Sequence, residues 1–355
     1  MDMSRVSPGW PIVGHAMAVR QLQRSLTVGS PAHAYLFVGP PNVGKTTLAL
    51  AFAQALLCDS LEARAAGVPC GVCASCRRVA ALTHPNLRVI EPDGAAGDEA
   101  GGSESGGERK TRKAASRGQI KIDTVREVQR ELSLRPYQGD YRVVVLSRAD
   151  SMNEAAENAL LKTLEEPPAY GVLILTAEDV DSLLPTTVSR CQGVTVGLTP
   201  ISEISAALQA RGVEAAEADR LAHLSGGRIG WVFSAVKDPS LLSKRTAALE
   251  RLDRAVGADR GERLTLAEEL AKKPDALPDL LELWQSWWRD ALLTQAGCGE
   301  WITNIDQRAA LDALARRRTT AELAGALRAL RAASAALERN ANPRLTLEVL
   351  LLEWP

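Results

Sequence analysis

The chain has 355 residues, of which 46% are hydrophobic and 24% charged, and its formal net charge is −1. This length predicts two or three domains, and a charge so near zero excludes a strongly basic nucleic-acid binder, so any nucleic-acid contact would be local or shared with partners. The first eleven residues lack the apolar core of a signal peptide, and no apolar run reaches the ~18 residues that span a bilayer, which predicts a cytoplasmic protein without a membrane partner.

The first predicted elements are a short strand, Leu36 to Val38, then the loop GPPNVGKTT and a helix from Leu48 to Leu57. The loop matches the pattern G-x-x-x-x-G-K-[ST], whose backbone N–H groups cradle phosphates while the lysine reaches the outer phosphates and the hydroxyl ligates Mg²⁺. The positive end of the following helix favours the same anion. The alternative, a plain glycine-rich turn, does not require these flanking elements. We therefore expect ATP with Mg²⁺ at Gly39, Gly44, Lys45 and Thr46.

Three cysteines follow at the spacing C-x2-C-x2-C, namely Cys70, Cys73 and Cys76, and Cys58 precedes them by a short segment. Closely spaced cysteines in a cytosolic chain favour a metal over disulfides, and four thiolates close the tetrahedral shell of a structural zinc site. Cys58 ends an apolar helix and could instead be a core residue, in which case His84 is the reserve ligand. The isolated Cys191 and Cys298 are expected to be small buried hydrophobic residues.

The next strand is predicted at 86–92. The segment 93–118 that follows contains no aromatic residue and no Val, Ile or Leu, so it cannot offset its ordering entropy and is expected to be a disordered insertion loop. A helical pattern resumes at Ile122, and a buried strand covers Val143 to Leu146. A helix with Asn153 as its N-cap then runs until Pro167 stops it.

Two more strands, VLILTA (172–177) and SRCQGVTV (189–196), complete the alternation of strands and helices. Unbroken apolar strands alternating with helices predict an α/β fold, a parallel sheet with helices on both faces. Beyond it the sequence is helical. We expect an α/β nucleotide-binding domain at 1–198 with the cysteine module at about 58–84, a small helical lid at 199–237 and a helical C-terminal domain at 238–355.

The strand at 143–146 ends in Ser147 and Arg148, where a hydrolysing nucleotide site usually carries acids. An aspartate there helps to hold Mg²⁺ and a glutamate orients the attacking water. Serine is a weak neutral ligand, and arginine cannot accept a proton because its pKa stays above about 12. Asp150 lies past the strand end and is not expected to replace the missing acids.

Several strings together resemble the bacterial clamp-loader ATPases of the AAA+ class: PIVGHAMAVRQLQRSL, HAYLFVGPPNVGKTTLALAFAQALLC, the cysteine cluster, NALLKTLEEPP and SRC. The ending LERNANPRLTLEVLLLEWP resembles the C-terminal helix of delta prime subunits of DNA polymerase III. The resemblance covers nearly the whole chain except 93–118. It implies a P-loop AAA+ domain with an inserted zinc module, a helical lid, and a helical collar through which five subunits assemble.

The resemblance also implies roles for single residues. The string PIVGH places Val13 and Gly14 beside the adenine, and Arg190 matches the arginine finger that reaches the γ-phosphate held by the next subunit. Such a finger is worth about 10³–10⁵ in rate in well-studied enzymes. Without the flanking motifs, Arg190 would be interpreted as a strand-end arginine paired with a surface acid.

Two weaker assignments follow from the same resemblance: Thr176 at the phosphate-sensing position and Arg228 at the lid position facing the nucleotide. Lone polar residues at such ends are often only caps. The complete predicted nucleotide set is Val13, Gly14, Gly39, Pro40, Asn42, Val43, Gly44, Lys45, Thr46, Thr47, Thr176 and Arg228.

Three functions remain open from the sequence. The favoured one is a delta prime subunit that binds ATP, hydrolyses it weakly or not at all, and helps to load the sliding clamp on primed DNA in chromosome replication, as part of the DNA-directed DNA polymerase holoenzyme. Its partners would be gamma or tau and delta in a hetero-pentamer, the sliding clamp, and primed DNA through the assembled complex. The alternatives are a gamma/tau-type subunit with its own ATPase activity, and a zinc-stabilised scaffold with a vestigial P-loop.

Three tryptophans of the C-terminal region, Trp284, Trp287 and Trp288, are spaced to lie on one face of a helix. Core packing is the expected role, with an interface between subunits as the alternative.

Overall fold

The computed structural model describes residues 9–92 and 118–354. The predicted disordered loop, 93–118, lies outside the described residues except for Gly118. The described residues up to Gly212, with Gly227–Trp231, form one compact unit, and Val213–Gly226 with the residues from Val232 onward form a second. The division of the sequence into three domains stays a prediction. Among the described helices, none combines the length and apolar character needed to cross a membrane.

The first unit is built on a five-stranded parallel sheet with the strand order β2-β3-β4-β1-β5. Every strand predicted from an apolar run is present, so the α/β prediction is confirmed. Because β1 lies between β4 and β5, the phosphate loop that follows it opens at the carboxyl end of the sheet, one strand in from the edge strand β5. The strands are β1 (Ala34–Val38), β2 (Leu87–Ile90), β3 (Arg142–Leu146), β4 (Gly171–Ala177) and β5 (Gln192–Thr195).

Helices flank this sheet in the first unit. They are α1 (Ala16–Thr27), α2 (Lys45–Leu56), α3 (Leu61–Ala65), α4 (Ala74–Ala80), α5 (Ile122–Ser133), α6 (Glu154–Glu165), α7 (Pro185–Val188) and α8 (Ile201–Gln209). A 3-10 turn, Ala149–Ser151, joins β3 to α6.

Two hydrophobic cores lie on opposite faces of the sheet, because successive side chains of a strand point to opposite sides. Tyr35, Phe37 and Val145 pack with α1 and α2 in one core, whereas Leu36 and Val144 pack with α5 and α6 in the other. The sheet is therefore covered on both faces, as its unbroken apolar strands predict.

The helix α6 begins and ends where the sequence predicts. The side chain of Asn153 accepts a hydrogen bond from the backbone N–H of Ala156 at 2.8 Å and so caps the first turn. The helix ends at Glu165, two residues before Pro167, whose ring cannot continue a helix.

The second unit is helical, and α10 (Ile229–Lys237) begins in the first unit and continues in the second. Its core contains Trp284, Trp288 and Trp354, which are at most 4% exposed. The ring of Trp354 contacts those of Trp284 and Trp288 at centroid distances of 5.2 and 5.3 Å. Trp287 is also buried. The predicted core role of the three clustered tryptophans is confirmed, and the interface alternative is wrong. The helices are α9 (Ala215–Leu224), α11 (Ser240–Gly257), α12 (Arg260–Ala271), α13 (Leu277–Gln295), α14 (Arg308–Arg317), α15 (Thr320–Glu338) and α16 (Pro343–Leu352).

Candidate functional site

The phosphate loop lies between the carboxyl end of β1 and the first turn of α2. Gly44 is the N-cap of α2 and has a φ of 95°, a left-handed conformation that glycine adopts without a steric penalty. The backbone N–H groups of the first turn of α2, which includes Thr46 and Thr47, have no partner within the helix. The loop therefore has the arrangement that binds an anion at a helix N-terminus.

The start of the loop is packed against the chain that leaves β5. A Cβ atom built on Gly39 would lie 1.9 Å from the carbonyl oxygen of Val196, which is closer than any real contact. Only glycine allows these two backbone segments to approach so closely. The loop is thus held in place by the strand next to β1.

Lys45 lies against the carbonyl oxygens of its own loop. Its Nζ atom donates hydrogen bonds to the carbonyl oxygens of Gly39 at 2.7 Å and Pro40 at 2.8 Å. Burial lowers the pKa of Lys45 below its ordinary value of 10.5, while the negative charges of Glu178 and Asp150 oppose that shift. The lysine is therefore a partly desolvated cation, which interacts more strongly with a phosphate than a fully hydrated one does.

Two residues outside the predicted set hold the other half of the loop. The Nε2 atom of His15 lies 2.8 Å from the carbonyl oxygen of Val43, and the backbone N–H of Gly230 donates to the carbonyl oxygen of Asn42 at 2.8 Å. Burial lowers the pKa of His15, while the Val43 carbonyl and the charge of Glu203 oppose the shift. His15 thus favours a neutral ring whose Nε2–H donates to the loop. Its place in the string PIVGH was the only sequence signal for this contact.

The remaining predicted nucleotide neighbours belong to the first unit. Val13 is half-buried and Gly14 is buried, just before α1. Arg228 is half-buried, two residues before the Gly230 that contacts the loop. Thr176 lies near the end of β4, and its Oγ1 accepts a hydrogen bond from the backbone N–H of Arg148 at 3.0 Å. Their nucleotide contacts stay predictions.

The end of β3 carries no carboxylate at the two positions where hydrolysing sites use acids. Ser147 is 7% exposed, and its hydroxyl finds no hydrogen-bond partner in the described part of the chain. Arg148 is exposed and has a φ of 54°, so the chain turns away from the strand direction there. Asp150 follows on the 3-10 turn.

Arg190 lies at the amino-terminal end of the parallel strands, whereas the phosphate loop of its own chain lies at their carboxyl end. It precedes β5, whose first residue, Gln192, is paired with Tyr35 near the start of β1. Its guanidinium donates to the carbonyl oxygen of Thr186 at 2.9 Å and to the Oε1 atom of Glu165 at 2.8 Å. The guanidinium cannot reach a phosphate at this chain's own loop, since β1 separates them by its whole length.

The four clustered cysteines are brought together beside α4. Their Sγ atoms all lie within 4.8 Å of one another, and those of Cys70 and Cys76 are 3.8 Å apart. A tetrahedral zinc ion with bonds of about 2.3 Å requires sulfur-to-sulfur distances of about 3.8 Å. Cys58 belongs to the group although it ends an apolar helix. The donor set therefore fits a closed structural metal site.

The thiols of this group differ in their ionisation. Backbone N–H groups of Cys73 and Val72 lower the pKa of Cys70 to about 6, because they stabilise its thiolate. Burial raises the pKa of Cys58 and of Cys76. Cys73 is the N-cap of α4, and its Sγ accepts from the backbone N–H of Cys76.

His84, the reserve ligand, lies in a polar network next to the cysteines and outside their group. Its Nε2 atom is 3.2 Å from Ser75 Oγ, and its Nδ1 accepts from the backbone N–H of Asn86 at 3.1 Å. Ser75 Oγ donates to Asp59 at 2.8 Å and accepts from Gln138 at 3.1 Å. These bonds fix the cysteine module to the segments that flank β2 and β3.

The prediction for the two isolated cysteines is only partly right. Cys191 is half-buried and packs against the core under α5 and α6, where burial raises the pKa of its thiol to about 12. Cys298 is half-buried, in the turn after α13, rather than inside a core. A turn position leaves one side of this residue in contact with solvent.

Comparison with known families covers most of the chain. A family model described as DNA polymerase III, delta subunit, matches residues 14–199, which is more than half of the chain. A second model, described as DNA polymerase III, delta subunit, C terminal, matches residues 239–355.

Individual relatives match about half of the chain. DNA polymerase III subunit delta' of Pseudomonas aeruginosa is 38% identical over 160 residues, covering 45% of this chain and 42% of the relative. Subunit delta' of Bacillus subtilis is 32% identical over 174 residues, covering 49% and 45%. Subunit tau of Bacillus subtilis is 32% identical over 182 residues, covering 51% of this chain and 27% of the relative. The chain thus spans less than half the length of these relatives.

A crystal structure of a DNA polymerase III gamma subunit-related protein from Thermotoga maritima aligns with 95% of this chain and 98% of its own, at a TM-score of 0.43 and 19% identity. The family assignment depends on the two sequence models, which match residues 14–199 and 239–355. The chain belongs to the DNA polymerase III delta subunit family.

Proposed function

We propose that this chain is a delta'-type subunit of a DNA polymerase III clamp loader, which binds ATP, hydrolyses it weakly or not at all, and supplies Arg190 to a neighbouring ATPase subunit. One observation carries the proposal: a fully formed phosphate loop lies beside a strand, β3, that ends in Ser147 and Arg148. Binding and hydrolysis use different groups, and here only the binding groups are present.

The loop supports binding because its shape is fixed from several sides. Lys45 holds the carbonyl oxygens of Gly39 and Pro40, while His15 holds that of Val43. With these carbonyls engaged, the N–H groups of the loop are free to face phosphate oxygens. Thr46 supplies the hydroxyl that ligates Mg²⁺ in such loops. When bound, Mg²⁺ would neutralise phosphate charge.

Hydrolysis is disfavoured because a water molecule must be oriented and metal charge must be held at the γ-phosphate. Ser147 offers a neutral oxygen and Arg148 a cation, neither of which activates water. The negative charge of Asp150 already interacts with the positive charge of Lys45.

The position of Arg190 supports a role at the nucleotide of a neighbouring subunit. Its side chain is one-third exposed and lies at the end of the sheet away from its own loop. A cation placed there can stabilise charge only on a phosphate that a neighbour brings to it.

The proposed partners are the gamma or tau and delta subunits of a hetero-pentamer, with the sliding clamp and primed DNA bound by the assembled loader in chromosome replication. The match to the C-terminal delta model at 239–355 favours the delta' class over the gamma/tau class. We also assign zinc to Cys58, Cys70, Cys73 and Cys76, since their spacing and donor type suit it better than other common metals.

The test is nucleotide binding and turnover by the isolated protein, repeated in a loader reconstituted with the other subunits. We expect the isolated chain to bind ATP with negligible turnover, and Lys45→Ala to abolish the binding. In the reconstituted loader, Arg190→Ala should lower ATP turnover by at least about tenfold at the site it serves, with assembly intact.

Each alternative function gives a different result. Brisk turnover by the isolated protein that Lys45→Ala abolishes would identify a gamma/tau-type ATPase. Absence of ATP binding, together with an unchanged loader after both substitutions, would identify a zinc-stabilised scaffold with a vestigial loop.

A further inference from the structure

The helix α6 carries the string NALLKTLEEPP, which none of the roles assigned so far explains. Its last residue, Glu165, forms a salt bridge with Arg190, whose NH2 atom lies 2.8 Å from Glu165 Oε1. The two residues are 25 positions apart in sequence, so the pairing is made by the fold. This contact joins the end of the helix to the residue proposed to act on a neighbouring nucleotide.

The same helix also holds the other end of the segment that carries Arg190. Glu157, which is 5% exposed, accepts a hydrogen bond through Oε1 from the backbone N–H of Leu184 at 2.6 Å. Leu184 is the N-cap of α7, and Arg190 follows the end of α7. Glu157 and Glu165 lie about 12 Å apart along the axis of α6. The segment from Leu184 to Arg190 is thus fastened to α6 at both ends.

These contacts fix the orientation of the Arg190 guanidinium. NH2 is held by Glu165 and NH1 by the carbonyl oxygen of Thr186 at 2.9 Å. An arginine side chain has many rotamers, and this freedom must be lost before the guanidinium can stabilise a transition state. Contacts already present in the subunit remove part of that loss before the neighbour's phosphate arrives.

We propose that Glu165 is a positioning residue for Arg190, and that α6 holds the arginine in the orientation in which it meets the nucleotide of the neighbouring subunit. This inference rests on the proposed function of Arg190. Glu165 acts through the guanidinium and touches neither the nucleotide nor the reacting atoms.

The expected effect is modest, because the pair is partly exposed: the side chain of Arg190 is 34% exposed and that of Glu165 is 53% exposed. An exposed salt bridge changes an equilibrium by a factor of about 2 to 5. Glu165→Ala should therefore lower kcat for ATP in the reconstituted loader about 2- to 5-fold. KM for ATP should not change, because the contact is needed in the transition state and not for binding.

A charge reversal enlarges the effect and has a matched control. Glu165→Lys places a cation beside Arg190 and should lower kcat about tenfold, whereas Glu166→Lys makes the same change at the next position. The side chain of Glu166 is exposed and forms no hydrogen bond or salt bridge with any described residue. Glu165→Gln keeps an acceptor oxygen and should stay within about twofold of the unmodified protein.

The experiment measures kcat and KM for ATP of loaders reconstituted with each variant, with thermal unfolding of each isolated variant to check folding. In the background of Arg190→Ala, Glu165→Lys should cause no further loss, since no finger remains to be oriented. Equal effects of Glu165→Lys and Glu166→Lys, or further loss in the Arg190→Ala background, would overturn the inference. Higher turnover after Glu165→Ala would also overturn it, because Glu165 would then hold the arginine away from its target.

The role of Arg190 as a finger and the role of Glu165 in positioning it are tested by different variants. If Arg190→Ala leaves turnover unchanged, the proposed finger is wrong and Glu165 has nothing to position. If Arg190→Ala lowers turnover but the Glu165 variants match their Glu166 control, the finger stands and only the positioning role fails.

Discussion

At the scale of single residues, the conformation of the phosphate loop depends on a close backbone contact that the sequence motif does not specify. Gly39 is required by the loop pattern, but its tightest constraint is the Val196 carbonyl oxygen, 1.9 Å from the place of a Cβ atom. That oxygen belongs to a backbone segment far away in the sequence. A backbone atom cannot rotate aside as a side chain can, so the first unit must shift to accommodate any larger residue.

We expect Gly39→Ala to lower the free energy of unfolding by about 3 kcal/mol, because overpacking forces the loop or the segment after β5 to move. Gly193→Ala is the matched control, since a Cβ at that glycine of β5 would meet nothing within 4 Å. Its effect should be within about 0.5 kcal/mol. Denaturant unfolding of the three proteins checks this, and equal stabilities would contradict the close approach.

His15 gives a prediction for pH. Its folded-state pKa lies below 6.5, so the unfolded chain binds the proton more readily than the folded chain does. Stability from the neutral ring is therefore fully present above about pH 6.5 and is lost as the pH falls from there through the folded-state pKa.

His15→Gln keeps an N–H donor for the Val43 carbonyl without the titration. The difference in unfolding free energy between the two proteins should accordingly change between pH 7 and pH 5, in favour of the variant at low pH. An NMR titration of the His15 ring should give a midpoint below 6.5. A midpoint above that value would contradict the prediction.

At the scale of elements, the second unit has a buried carboxylate that ties α13 to the chain after it. Asp290 is fully buried and accepts hydrogen bonds from the backbone N–H groups of Thr303 and Asn304, at 2.8 and 2.7 Å. Arg289 donates to its other oxygen at 2.7 Å. A carboxylate without water needs several such donors to compensate for its lost hydration.

We expect Asp290→Ala to lower the free energy of unfolding by about 2–4 kcal/mol, because it leaves the backbone N–H groups of Thr303 and Asn304 without their acceptor. Asp253→Ala, on an exposed position of α11, should change stability by less than about 0.5 kcal/mol. Comparable losses in the two variants, measured by denaturant unfolding, would show that the network contributes little.

At the scale of the whole molecule, the chain combines a unit with a parallel sheet and a unit made of helices, each with a core of its own. The cysteine group lies in the first unit, where it closes the chain between α2 and α4. Metal binding to such a group contributes directly to folding, because the unfolded chain has no preformed site.

Purified protein should contain about one zinc ion per chain, and Cys73→Ser should remove it. Loss of the metal should lower the Tm of the first unit by about 10 °C or more, measured by calorimetry with and without a chelator. Cys298→Ser, in the second unit, is the control and should keep the metal. Unchanged metal content after Cys73→Ser would refute the site.

The sequence by itself determined the local elements and the identity of the chemical groups. Apolar runs set the three central strands, β1, β3 and β4, because these strands are buried on both faces. Asn153 and Pro167 set the limits of α6 because caps and breakers act within one helical turn. The phosphate loop, the cysteine group and the absence of acids at Ser147 and Arg148 are likewise properties of neighbouring residues. Membership of the DNA polymerase III delta subunit family also follows from the sequence, through the matches to the two family models.

Only the tertiary structure decided which distant groups meet. It brought His15 and Gly230 to the carbonyls of the phosphate loop, placed His84 in a polar network outside the cysteine group, and paired Glu165 with Arg190. Sequence patterns could not give these contacts, because each joins elements whose relative position depends on strand order and on side-chain packing in the cores. The motifs name the groups that can bind nucleotide and metal, and the fold determines what holds each of them in place.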